Sequence, residues 1–213
     1  MKLSIQVLVD NPNSWLVPYA KKLVDLLSKS HECFFIQHEK EITKGDILIL
    51  LACEKKISQS LLSLHTNNFV VHESDLPKGK GWSPLTWQIL EGHPEIVISL
   101  FEAADKIDAG NIYSKKRMKF KGDELLDELR DIQGNATIDI VMDVIQKYPN
   151  SKGAEQLGES TYYPKRTSLN SELDMNKSID EQFNLLRVVD NDRYPAFFIK
   201  NGIKYILKIN KAK

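Results

Sequence analysis

Apolar positions along the chain fall into short blocks separated by polar turns. Residues 3–9 alternate and then run apolar, as a strand does when its end is buried. Asp10-Asn11-Pro12-Asn13 interrupts that block, and Ser14 can cap a helix with Trp15, Tyr19, Leu23 and Leu26 on one face. Residues 33–36 predict a second short strand. Residues 47–51 form the most apolar run, which suits a central parallel strand covered on both faces. A short helix over 58–64 and a buried strand over 69–71 follow. Helices are expected at 84–90 and 124–147, with a strand at 95–101 between them. Strands alternating with helices predict βαβ units, so the fold class is α/β: a doubly wound, mostly parallel twisted sheet.

The pattern shifts at Tyr148-Pro149-Asn150-Ser151-Lys152-Gly153, a polar, turn-rich linker. We divide the chain there into a catalytic domain, 1–150, and a small C-terminal extension, 151–213. The extension holds a Tyr/Arg-rich loop, a helix and a hairpin. Ser178-Ile179-Asp180-Glu181 fits a capping box for a helix carrying Phe183, Leu186 and Val189. Asn201-Gly202 is a strong two-residue hairpin signal.

Charge narrows the function classes. Lys plus Arg equals Asp plus Glu at 29 each, which argues against a partner held by its phosphate backbone. No run approaches the roughly 20 apolar residues of a membrane span, and the N-terminus opens directly into a strand pattern. These features predict a cytoplasmic protein with no nucleic-acid or membrane partner. Cys33 and Cys53 read as reduced core thiols. The five histidines lack the tight spacing of a metal site. Neither a dinucleotide nor a Walker phosphate motif is present. Lys78-Gly79-Lys80-Gly81 is the one glycine-rich loop, a flexible basic turn or a phosphate cradle.

His72 stands out because it ends the buried 69–71 strand, where ligands of doubly wound sheets gather. Asp108 follows the next strand, 36 residues on (108 − 72). If the two strands are neighbours, they deliver an imidazole and a carboxylate to one sheet edge, a pair suited to general base work. A strand-end histidine and a turn aspartate are the plainer alternative.

The motifs around this pair are ordered and spaced. They are His72-Glu73-Ser74-Asp75-Leu76-Pro77, Gly81-Trp82-Ser83-Pro84, Trp87-Gln88-Ile89-Leu90-Glu91-Gly92 and Asp108-Ala109-Gly110-Asn111-Ile112. Together they resemble the folate-dependent formyltransferase family, which includes methionyl-tRNA and nucleotide-sugar N-formyltransferases. Gly158 to Thr167, Leu173-Asp174, Phe183 to Arg187 and Tyr194 to Phe197 look like the region after the catalytic domain in the sugar enzymes. Within the family the chain is most similar to the branch of pseudaminic acid biosynthesis. Its acceptor is a UDP-linked 4-amino-4,6-dideoxy N-acetyl sugar.

The resemblance implies N10-formyltetrahydrofolate as formyl donor and His72 and Asp108 as catalytic residues. Asp108 would orient His72. It places the folate against Leu51, Ala52 and Cys53 and against Ala103, Ala104, Asp105 and Asp108. The nucleotide sugar would meet Ser74, Lys78, Trp82, Tyr162, Tyr163 and Arg166, with Lys165 nearby. Arg187 points to the same cleft or stays solvated on its helix. One position departs from the family: Val70 stands where its Asn-x-His motif has asparagine. Asn68 shares the strand face of Val70 and His72 but lies about 13 Å from His72 by strand rise. Methionyl-tRNA and small amines fit the motifs as other acceptors. A non-catalytic sugar-nucleotide binder fits the loss at Val70, and a homodimer is left open.

Overall fold

The computed structural model describes residues 1–212. The strands are β1 (Ser4–Leu8), β2 (Glu32–Ile36), β3 (Gly45–Leu50), β4 (His65–His72), β5 (Lys80–Gly81), β6 (Glu95–Glu102), β7 (Ile112–Lys119), β8 (Tyr162–Tyr163), β9 (Ala196–Lys200) and β10 (Ile203–Leu207). The helices are α1 (Val17–Leu27), α2 (Gln59–Leu62), α3 (Pro84–Leu90), α4 (Leu126–Lys147) and α5 (Phe183–Val188).

The central sheet has the order β2-β1-β3-β4-β6-β7. Its first four strands run parallel, while β4–β6 and β6–β7 pair antiparallel. Alternation along β3 shows why helices cover both faces. Ile47 and Ile49 join a large core that also holds Leu23 of α1 and Val141 of α4. Leu48 and Leu50 join a smaller core with Leu62 of α2. Each such fully buried side chain stabilises the fold by about 1.5–3 kcal/mol. Strand β7 was not apparent from sequence because Lys115, Lys116, Arg117 and Lys119 make it look like a surface segment. Those cations suit a sheet edge, where they discourage pairing with another chain.

The linker expected at residue 150 does not release the chain from the sheet. Ala154 exchanges both backbone hydrogen bonds with Ile112, at 2.7 and 2.9 Å. From there residues 155–163 run on to β8, which pairs with β5. Farther on, Ser178 and Glu181 form the expected reciprocal cap. It opens a single 3₁₀ turn, and α5 starts only at Phe183. Asn201 and Gly202 have φ of +52° and +76°, the paired left-handed residues of a two-residue hairpin. The hairpin and α5 share a third small core around Leu173, Leu186 and Ala196.

At the start of β4, both ring nitrogens of His65 are buried with no partner among the described residues. Burial pushes its pKa down, partly offset by Asp46. The folded ring therefore stays neutral where the unfolded one, with a pKa near ~6.5, takes a proton. Stability should fall as pH drops below about 6.5. His65→Leu should flatten that dependence in thermal melts taken from neutral to mildly acidic pH. Equal slopes for variant and wild type would refute the role.

Candidate active site

His72 closes β4. Its neighbours are fixed by register: Leu50 lies opposite Val70, and Ser99 opposite His72. The sequence suggests that β4 and β6 carry His72 and Asp108 to one edge. The structure corrects that route. Strand β6 runs antiparallel, so Glu102 lies beside Phe69, about 10 Å short of His72. Loop 103–111 makes up the distance. Its ends are tied to the sheet by Ala103 N–H donating to the Asn68 carbonyl (2.7 Å) and Glu102 N–H donating to the Asn111 carbonyl (2.9 Å). Between these ties Asp108 reaches His72, with Oδ2 at 3.8 Å from Nε2.

Gly110 permits the return. A Cβ there would lie 1.8 Å from the Glu102 carbonyl oxygen, so no side chain fits. Asp108 itself sits at φ +51°, in the left-handed region. Its backbone carbonyl and that of Gly110 both accept from Gln156 Nε2 at 2.9 Å.

His72 is 7% exposed, and its Nε2 lies 2.8 Å from the Gly79 carbonyl. A carbonyl can only accept, so Nε2 carries the proton and Nδ1 holds the lone pair of a base. Orientation thus comes from Gly79, where the sequence reading expected it from Asp108. The Asp108 carboxylate instead accepts from Gly81 N–H at 2.9 Å and contributes charge at short range. Glu73 adds a second carboxyl nearby. Burial pushes its pKa up, an effect that attraction to His72 offsets only in part.

The two expected folate segments lie in the loops after β3 and β6. Lys56 Nζ donates to the Asp105 carbonyl at 2.8 Å, bridging the loops after β3 and β6. Cys53, Val70 and Ala103 each pack against the smaller core. Leu51 is buried and belongs to the larger core instead, so only its backbone can serve a ligand. Ala52, Ala104 and Asp105 are exposed. Burial pushes the Cys53 thiol up to about 12, which keeps it protonated and inert.

The expected acceptor residues divide. Lys78 and Tyr162 are exposed, and Trp82 is 39% exposed with Lys165 Nζ 4.3 Å above its ring. Tyr163 stacks on Trp87 at 6.1 Å and donates its hydroxyl to Glu91 at 2.7 Å. Arg166 is half-buried and donates to the Asn170 carbonyl, but its Nε is buried without a partner. Ser74 lies beneath Gly79, and its hydroxyl is buried without a partner. Arg187 is not in the cleft. It is 4% exposed and committed to Glu124 and Asn184. Sequence reasoning did not anticipate the Gly79 carbonyl on His72, the Thr161 contacts to Gly79 and Lys80, or the Gln156 amide on Asp108 and Gly110, although Gly79 and Thr161 lie in stretches it singled out.

Comparison with known proteins follows the same residues. Residues 28–145, more than half of the chain, match the family model described as formyl transferase. A methionyl-tRNA formyltransferase of Finegoldia magna is 27% identical over 165 residues, covering 76% of this chain and 53% of its own. The chain thus spans about half the length of the curated relatives it matches. The structure of methionyl-tRNA formyltransferase from Clostridium thermocellum superposes with a TM-score of 0.82 at 20% identity, covering 100% of this chain and 94% of that one. HypX from Aquifex aeolicus, solved with tetrahydrofolic acid, gives 0.80 at 17%, with coverage of 98% and 38%. A sugar N-formyltransferase from a Shewanella species gives 0.71 at 14%, with coverage of 99% and 98%. The three structural likenesses establish the fold, and the match over 28–145 establishes more: the chain belongs to the formyl transferase family.

Proposed function

We propose that the chain transfers a formyl group from N10-formyltetrahydrofolate to the 4-amino group of a nucleotide-linked amino sugar. The observation that carries this reading is the His72 ring, fixed at Nε2 by the Gly79 carbonyl with Asp108 at 3.8 Å. That setting leaves Nδ1 free to take the proton an attacking amine must lose. When the proton arrives, the imidazolium faces the Asp108 carboxylate, which offsets its charge.

We place the donor against the loops after β3 and β6, as the resemblance to the family implies. The apolar side chains of Cys53, Val70 and Ala103, packed on the smaller core, suit a flat heterocycle, and Ala104 and Asp105 are exposed next to Ala103. Bound there, the folate supplies the formyl carbon. Val70 cannot donate a hydrogen bond to the oxygen that gains charge. Protonated His72 or a backbone N–H takes that part, a contribution worth about 3 kcal/mol where such donors have been removed. The donor's use is testable directly. Formyl-folate alone should support turnover, and product from formate plus ATP would overturn this assignment.

The acceptor reading rests on the surface beside β5 and β8. Exposed rings at Trp82 and Tyr162 can stack on a base, and Lys78, Lys165 and Arg166 can meet a diphosphate. The Shewanella neighbour, named as a sugar N-formyltransferase, supports the same class. A UDP-linked 4-amino-4,6-dideoxy N-acetyl sugar of the pseudaminic acid type is the specific candidate. Arg166→Ala should raise KM for it roughly tenfold or more, since a charge-assisted contact is worth about 1.5–3 kcal/mol. Folate binding should hardly change. An unaltered KM would put Arg166 outside the site.

The deciding experiment offers formyl-folate with a panel of UDP- and dTDP-linked amino sugars, with methionyl-tRNA in parallel, and reads products by mass spectrometry. Formylated sugar nucleotide is expected. Formylated methionyl-tRNA without formylated sugar would replace this acceptor with the one named for the Finegoldia relative.

A further inference from the structure

Residues 154–163 lie beyond the family-matched stretch, yet they touch both halves of the site. On the histidine side, Lys80 N–H donates to the Thr161 carbonyl at 2.9 Å. That N–H belongs to the same peptide unit as the Gly79 carbonyl that faces His72. The peptide between Gly79 and Lys80 is therefore held from one side by Thr161 while it holds the imidazole on the other. Thr161 Oγ1 also accepts from Gly79 N–H at 2.8 Å.

On the aspartate side the support of the backbone carbonyls is a single side chain. Lys56 Nζ holds the Asp105 carbonyl and Gly81 N–H the Asp108 carboxylate, while the backbone of loop 103–111 is tied to the sheet at its two ends. Asp108 lies between them at φ +51°, a conformation that costs a non-glycine residue of order 1–3 kcal/mol unless its surroundings impose it. The Gln156 amide imposes it, donating at 2.9 Å to the carbonyls of both Asp108 and Gly110. Among the described residues no other donor reaches those two oxygens. Gln156 also carries a penalty, because its own Oε1 is buried without a partner. An apolar side chain would avoid that penalty, so the amide's worth at this position lies in its donors.

We propose that Gln156 is a positioning residue that acts on turnover through Asp108. The proposal rests on the reading of His72 and Asp108 as the catalytic pair. Gln156 touches neither ring nor carboxylate. By pinning the Asp108 and Gly110 carbonyls it keeps the carboxylate turned to Gly81 N–H and His72. Without the pins Asp108 relaxes out of the left-handed region and its carboxylate swings away. Displacements of about 1 Å at a reacting centre cost up to a hundredfold in rate.

Gln156→Met removes the donors at nearly constant volume, and Gln156→Glu, at constant length, serves if the first variant does not fold. Each would be made in the wild-type chain and in Asp108→Asn. Single-turnover kcat and both KM values would be measured with formyl-folate and whichever acceptor the wild type formylates, UDP-linked 4-amino-4,6-dideoxy N-acetyl sugar or methionyl-tRNA. In the wild-type background kcat should fall tenfold to a hundredfold on this order, with KM values unchanged. In the Asp108→Asn background the same substitution should do nothing further, because the group it positions no longer bears its charge. A merely structural role lowers kcat by the same factor in both backgrounds, and that result overturns the proposal. So does wild-type kcat in the folded single variants. Wild-type kcat in Asp108→Asn alone would instead bring down the catalytic pair, and with it any role exerted through Asp108.

Discussion

His72→Asn should lower kcat by about a hundredfold or more while ligand affinities and the melting temperature stay close to wild type. The size follows from the loss of a positioned general base, an effect of roughly 10²–10⁴. Asparagine keeps a polar side chain at a buried strand end, so the fold is spared an unpartnered cavity, but no nitrogen remains to take a proton. Asp108→Asn should act in the same direction. Its amide oxygen can still accept from Gly81 N–H, so the loop keeps its tie and only the charge beside His72 is lost. Asn68→Ala gives the contrast. The Asn68 side chain donates to the Leu62 carbonyl, a bond that secures α2 and does not reach the site. Its removal should therefore cost stability and leave kcat nearly intact. Near-wild-type kcat in purified, folded His72→Asn protein would overturn the mechanism. A large loss in Asn68→Ala would show that the asparagine missing at Val70 has its substitute two residues upstream.

Much of this site was legible because its residues belong to local patterns. The continuous run at 47–51, the strand ending at His72 and the Pro84–Leu90 helix all carry their signal within a few residues, and α3 has the expected bounds. The Asn201-Gly202 turn is equally local, since two consecutive left-handed residues are needed there and few residue types tolerate it. Strand direction is different. Nothing in 95–101 tells whether β6 runs with β4 or against it, because the same apolar residues face the same cores either way. The return of loop 103–111 follows from that direction, so it could not be read either. The contacts of residues 154–161 with the site were hidden for a related reason, although the resemblance covered Gly158 onward. Those contacts run through the carbonyl and the hydroxyl of Thr161 and through one glutamine in a polar stretch with no periodicity. Arg187 was the clearest misreading, since a helix arginine near aromatic and basic motifs looks like a phosphate ligand until its partner 63 residues away is seen.

That partner makes Arg187 the other large-effect position. Arg187→Met should destabilise the protein by about 3–5 kcal/mol, the usual result of removing one member of a buried ion pair. For a chain of this size that lowers Tm by roughly 6–20 °C. Arg187 Nη2 lies 2.9 Å from Glu124 Oε2, its Nε donates to the Glu124 carbonyl at 3.0 Å, and its Nη1 donates to Asn184 at 2.9 Å. Both side chains are under 10% exposed, so solvent cannot replace the lost partner. Burial alone would raise the Glu124 pKa. The N–H groups of Lys121 and Gly122, together with Arg187, outweigh it and hold the carboxyl below the usual range. A depressed carboxyl stabilises the fold above its unfolded pKa of about 4.3 and loses that contribution as pH falls through the folded value. The Tm gap between wild type and Arg187→Met should therefore be widest near neutrality and close in acid. Because the pair ties α5 to the start of α4 and Arg187 bonds to neither His72 nor Asp108, kcat and KM per folded molecule should be those of the wild type. A raised KM for sugar nucleotide with no change in Tm would return Arg187 to the cleft and refute the structural role.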